Sequence, residues 1–100
     1  MAKTDLRTLA ATLPSAWSSN IVGKAAGVNF KVLRMDQAAY PNEVHDFDEA
    51  LMVLDGQMNL RFEEKIVNVT TGEVYIVPAG VQHAVAPGSH GVLVIVDRDA

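Results

Sequence analysis

Two histidines and two glutamates carry the most chemistry in this 100-residue chain. Three of them fall within Glu43-Val44-His45-Asp46-Phe47-Asp48-Glu49. Positions 43, 45 and 49 share parity, so an extended backbone turns them to one face and one short strand can present all three. The fourth, His83, closes the stretch Gly72-Glu73-Val74-Tyr75-Ile76-Val77-Pro78-Ala79-Gly80-Val81-Gln82-His83. That stretch reads as a strand, a Pro-Ala-Gly turn and the start of the next strand, with the turn aiming His83 at the first cluster. The chain has no cysteine. Disulfides, thiolate metal sites and cysteine nucleophiles are therefore excluded, and imidazole and carboxylate are left as the strong metal ligands.

The elements that must position these groups are short. Leu6, Leu9, Ala10 and Leu13 recur at helical spacing, with Thr4 or Asp5 as N-cap and Pro14 as terminator, which predicts one short helix. Beyond Asn20 the chain breaks into brief apolar runs separated by Gly, Pro, Asn and Ser. The predicted strands are Ile21–Lys24, Asn29–Met35, Ala50–Leu54, Gln57–Phe62, Lys65–Val69, Val74–Val77, His83–Val85 and Val92–Val96. Met58, Leu60 and Phe62 alternate with Gln57, Asn59 and Arg61, the period of a strand with one wet face. Leu51 and Val53 extend the parity of Glu49 as apolar filling, so the polar cluster should cap one end of an apolar interior. Asp55-Gly56 and Pro87-Gly88-Ser89 are read as turns, and His90 as a turn residue outside the site. Eight strands suit an all-β jelly-roll barrel.

Length and charge bound the rest. One hundred residues make one domain. It divides into a helical arm over residues 1–20 and a barrel over residues 21–100. The formal net charge of -4 offers no basic footprint, so nucleic acid is excluded as an expected partner. The N-terminus lacks the apolar run of a secretory signal, and no aliphatic run is long enough to span a bilayer. The expectation is a cytoplasmic protein without membrane contact. Met35, Met52 and Met58 are expected as core filling, and Trp17 as a residue packed over a barrel edge or a subunit partner.

In these residues the chain resembles the cupin superfamily. Its second motif is glycine, five residues, proline, one residue, glycine, two residues and histidine, and Gly72, Pro78, Gly80 and His83 match it. The closing asparagine of that motif is replaced by Pro87. In the first motif His45, Glu49 and Gly56 match, while Gln37 stands for the leading glycine and Glu43 for the first histidine. The resemblance implies a single cupin jelly-roll β-barrel with a short N-terminal helix. It also implies that His45, Glu49 and His83 occupy metal-ligand positions for one divalent transition metal: Fe, Mn, Ni or Zn.

Glu43 is the departure, and two roles stay open for it. As a fourth ligand it completes a two-histidine, two-carboxylate site suited to Fe(II) or Mn(II). Turned away, it leaves the facial triad of non-haem iron enzymes and becomes the natural catalytic base, with Tyr75 or Gln82 as the other polar groups near the open face. The family spans a metal-dependent dioxygenase or isomerase acting on a small molecule in the barrel. It equally spans a non-enzymatic module, with or without metal, that binds or senses a small ligand. Homodimers are common in the family, so the apolar stripe of the arm is expected to cover its own barrel or to exchange with a partner.

Overall fold

The computed structural model describes residues 3–98; the first two residues of the expected arm and the last two of the expected barrel lie outside them. The elements run α1 (Leu6–Thr12), β1 (Asn20–Ala25), β2 (Val28–Asp36), β3 (Tyr40–Glu43), β4 (Glu49–Arg61), β5 (Ile66–Thr70), β6 (Val74–Val77), β7 (His83–Val85) and β8 (His90–Asp97). The fold is an all-β barrel with one short helix. Asp5 is the N-cap of α1 and accepts a hydrogen bond from the Thr8 amide at 3.1 Å.

β1 and β2 form a hairpin whose two connecting residues, Ala26 and Gly27, both take positive φ, as a tight two-residue turn requires. The sheet then runs β1-β2-β8-β4-β7-β3, with β5 and β6 also paired to β4. β4 is the strand on which the sheet folds over. Its first residues pair with β6 and β8, and its last pair with β5 and β7.

This corrects the expected turn at Asp55-Gly56, which lies inside one continuous strand. The ladder to β8 shifts register between Val53 and Asp55, and there Gly56 faces Gly91. A Cβ on Gly56 would lie 2.1 Å from the His90 carbonyl oxygen, and one on Gly91 1.9 Å from that of Asp55. Glycine in a strand marks such a bulge as readily as a turn, because only a residue without Cβ permits this backbone approach.

β3 was not foreseen. It is four residues long, contains Pro41 and pairs only with β7. Proline suits such an edge strand, where one backbone N–H needs no partner.

Inside the barrel, Leu33, Met35, Leu51, Val53, Met58, Leu60, Val69, Val77, Val85 and Leu93 form one cluster. Met58, Leu60 and Val53 are fully buried, each worth roughly 1.5–3 kcal/mol of apolar transfer. Odd positions of β4 therefore face inward before the register shift and even positions after it, each half as its own alternation predicted. Outside the barrel, Ala10 of α1 packs with Val32 and Val92, and Leu6, Leu9, Val22 and Leu54 close around them. The Arg34 guanidinium donates to the carbonyls of Ala10 at 3.1 Å and Leu13 at 2.9 Å, satisfying the end of the helix. Arg34 is thereby occupied away from the interior. Among the described residues no helix is long and apolar enough to cross a membrane.

Candidate metal centre

The four candidate ligands come from three strands and one connecting segment, so the expectation that one strand presents Glu43, His45 and Glu49 is corrected. β3 ends on Glu43 and β4 begins on Glu49; His45 sits in the irregular segment between them. Parity put the three on one face; the segment runs on from β3 into β4 antiparallel to the β6–β7 turn, with Glu43 opposite His83 and Glu49 opposite Val77. His83 opens β7 directly opposite Glu43 in the β3–β7 ladder. The turn before β7 is fastened to the segment before β4: Gly80 N–H donates to the His45 carbonyl at 2.8 Å, and Ala79 N–H to Asp48 Oδ1 at 2.9 Å.

Each of Glu43, His45, Glu49 and His83 offers one ligand atom, and these atoms all lie within 4.8 Å of one another. His83 Nε2 is 3.1 Å from Glu49 Oε1, and His45 Nε2 is 3.7 Å from Glu49 Oε2 and 3.5 Å from Glu43 Oε2. Glu49 and His83 are buried, with side chains only 7% and 4% exposed, whereas Glu43 is 37% exposed. The His45 ring stacks on Phe47 at 4.9 Å between centroids, which holds its plane.

Two features test the group against a metal ion. His45 Nε2 is buried without a hydrogen-bond partner, a costly arrangement for a polar atom unless something else coordinates it. His83 Nδ1 lies 3.0 Å from the Val81 carbonyl. In the neutral ring Nδ1–H donates there and the Nε2 lone pair faces the cluster, the tautomer a metal ligand needs. Without metal, Nε2–H meets Glu49. That hydrogen bond raises the His83 pKa above 6.5, with burial opposing it and the Val81 carbonyl and the charges of Glu49 and Glu43 adding to it. Two imidazoles and two carboxylates on one pocket wall could hold a divalent transition ion.

The site opens into a cavity of about 160 Å³. Sequence reasoning missed five polar or aromatic residues that line it: Trp17, Ser19, Lys31, Tyr40 and Asp97. Tyr40 escaped because β3 shifts register between Tyr40 and Glu43, so that residues of unlike parity share the cavity. Burial, followed by the neighbouring Glu43 carboxylate, raises the Tyr40 phenol above its ordinary pKa. Trp17 stands with its backbone at φ +63° and its ring 5.6 Å from that of Tyr40; the indole N–H donates to Asp36.

The residues offered from sequence as the other polar groups near the open face lie elsewhere. Tyr75 packs on Phe62 at 5.3 Å, and Gln82 lines an outer groove with Glu63, Glu64 and Lys65. Tyr75 shares the inner face of the β4–β6 ladder with Leu51 but packs on the core and does not line the cavity. His90 begins β8 and is no turn residue; it is exposed and pairs with Asp36 and Gln57, apart from the four ligands.

The Cupin domain family matches residues 32–97, and the chain belongs to it. Among solved structures it is similar to a cupin-2 domain containing protein from Shewanella frigidimarina, at 20% identity and a TM-score of 0.88 over 96% of this chain and 94% of that one. A protein of Neisseria meningitidis aligns at 21% identity and a TM-score of 0.83, covering 98% and 100%. One from Thermus thermophilus aligns at 23% and 0.79, covering 98% of both chains. These likenesses show the fold. Among curated proteins no match is found.

Proposed function

We propose that this cupin binds one divalent transition metal through His45, Glu49 and His83 and acts on a small oxygen-bearing molecule held in the adjoining cavity. The observation that carries the reading is the buried His45 Nε2, left without a hydrogen bond among three other potential ligands. Glu49 and His83 are the buried pair, fixed by the strand start and by the Val81 carbonyl. Glu43 is the more exposed carboxylate, beside the Tyr40 phenol at the cavity wall. That placement supports Glu43 as the group that exchanges a proton with the bound molecule, in the pattern of a general base within reach of solvent. A bound ion of this kind supplies Lewis-acid polarisation of a carbonyl or hydroxyl oxygen and, if it is iron, dioxygen activation.

Elemental analysis of protein purified without a chelating column tests the assignment. The expected result is about one equivalent of Fe, Mn, Ni or Zn, retained in Glu43→Gln and lost in His83→Ala. Loss of metal in Glu43→Gln would make Glu43 a ligand and end its role as base. Wild-type protein that takes up no metal on reloading would overturn the metal centre altogether.

A further inference from the structure

The barrel interior contains a charged pair that the metal centre does not use. Asn29, Lys31 and Leu33 share the inner parity of β2, and Leu93, Ile95 and Asp97 that of β8; the two sets pair as Asn29 with Asp97, Lys31 with Ile95 and Leu33 with Leu93. Lys31 Nζ lies 2.9 Å from Asp97 Oδ2, and Asn29 Nδ2 donates to Asp97 Oδ1 at 3.2 Å. The side chains of Lys31 and Asp97 are 23% and 8% exposed.

Lysine and aspartate are rarely enclosed, and taking such a pair out of water costs more than packing apolar residues of similar size. The fold does not need the pair for register, because β2 and β8 already form an unbroken ladder from Asn29–Asp97 to Asp36–His90. What distinguishes Lys31 and Asp97 is their place: both line the same cavity as Glu43, His45, Glu49 and His83.

We propose that Lys31 and Asp97 form a second anchoring subsite, for the hydroxyl groups of an uncharged polyol or hydroxy-carbonyl compound whose other end faces the metal centre. The inference rests on that centre for the far end of the ligand. An ammonium beside a carboxylate offers a donor and an acceptor together, the complement of a hydroxyl that both accepts and donates. It offers an anion much less, since the Asp97 carboxylate stands against any second negative group brought to Lys31. The whole cavity agrees. Among the described lining residues the fixed charges are Glu43, Glu49 and Asp97 against Lys31, and a divalent ion brings that set to neutrality. A phosphate ester therefore finds no net positive field, and discrimination against it comes from unfavourable charge. The aromatic faces of Trp17 and Tyr40 add an apolar wall for the carbon skeleton.

Trp17 is the only tryptophan in the chain, so its fluorescence reports on the cavity directly. The full-length protein loaded with Zn(II) is titrated with erythritol and with erythritol 4-phosphate, and zinc content is measured separately. The expected result is a saturable fluorescence change with erythritol and binding at least tenfold weaker for the phosphate. Lys31→Met should weaken erythritol binding at least tenfold while keeping the zinc content of wild type. If that variant does not fold, the double variant Lys31→Met with Asp97→Asn leaves no lone buried charge and carries the same test. Equal or tighter binding of the phosphate, no saturable response to erythritol, or variants that bind erythritol as wild type does would each overturn the subsite. Failure of zinc uptake would instead count against the metal centre, and the dependence of the erythritol signal on Lys31 in the metal-free chain would still decide the subsite.

Discussion

The Gly80 amide donates to the His45 carbonyl at 2.8 Å, so the turn leading into His83 is tied to the segment that carries the other histidine. The neighbouring bond, Ala79 N–H to Asp48 Oδ1, makes the tie two-pronged. Asp48→Ala removes one prong on an exposed surface, at a cost of about 1 kcal/mol. Melting should fall by about 4–8 °C. Metal affinity should fall further in proportion, by about 10- to 100-fold, as when an outer support of a ligand is lost. A chelator competition titration measures it; unchanged affinity would show that the tie does not position the histidines.

Gln37 and Gly80 both hold positive φ, +79° and +81°. Gln37 stands where the family motif has glycine, and its backbone shows why: its N–H donates to Ser89 O at 2.7 Å and its carbonyl accepts from Gly88 N–H at 2.9 Å, fixing the left-handed turn. Gln37→Gly relieves about 1 kcal/mol of strain and gives part of it back as chain entropy, so the melting temperature should rise by about 2–4 °C. Gly80→Ala, with open space around the new Cβ, should lower it by about as much as the strain alone. Equal shifts of the same sign would refute the account.

Gly56→Ala should behave differently from Gly80→Ala although both φ values are positive. At Gly56 the new Cβ meets backbone, the His90 carbonyl oxygen at 2.1 Å, and the β4–β8 crossing must open. The expected loss is about 3 kcal/mol or more, enough to unfold a small domain at growth temperature. Soluble yield and thermal melting of the two variants side by side check it, and comparable melting would remove the close crossing as an explanation.

The His83–Glu49 contact gives opposite pH dependences with and without metal. In the metal-free protein the His83 pKa is raised above 6.5, chiefly by that hydrogen bond. Its stabilisation is therefore complete below the unfolded value and is lost as pH rises through the folded one. Metal must displace the same proton, so apparent affinity climbs as pH rises through that range. The gain in melting temperature on adding Zn(II) should thus grow with pH, and Glu49→Gln should remove the metal-free dependence. A metal-induced gain that shrinks with rising pH would contradict the assignment of His83 as a ligand.

Much of this architecture is local, and local patterns were legible. The alternation around Met58, Leu60 and Phe62 placed the inner face of the second half of β4. The helix stripe and its Asp5 cap, and the spacing from Gly72 through Pro78 and Gly80 to His83, likewise appeared where the sequence put them. In each case the cause lies within a dozen residues: side-chain period, a cap, a fixed φ.

What tertiary structure alone decided concerns residues far apart in the chain. Glu43, His45 and Glu49 meet His83 because the segment joining β3 to β4 runs against the turn joining β6 to β7, a pairing that parity along one strand does not contain. Gly56 is a crossing point only because Gly91 lies opposite it. Lys31 and Asp97 each look like an ordinary strand charge until barrel closure sets Asn29 against Asp97, 68 residues away, and turns both charges into the cavity. Period-2 alternation tells which residues share a face of one strand; which strands face one another, and at what register, is set by closing the sheet around a filled core.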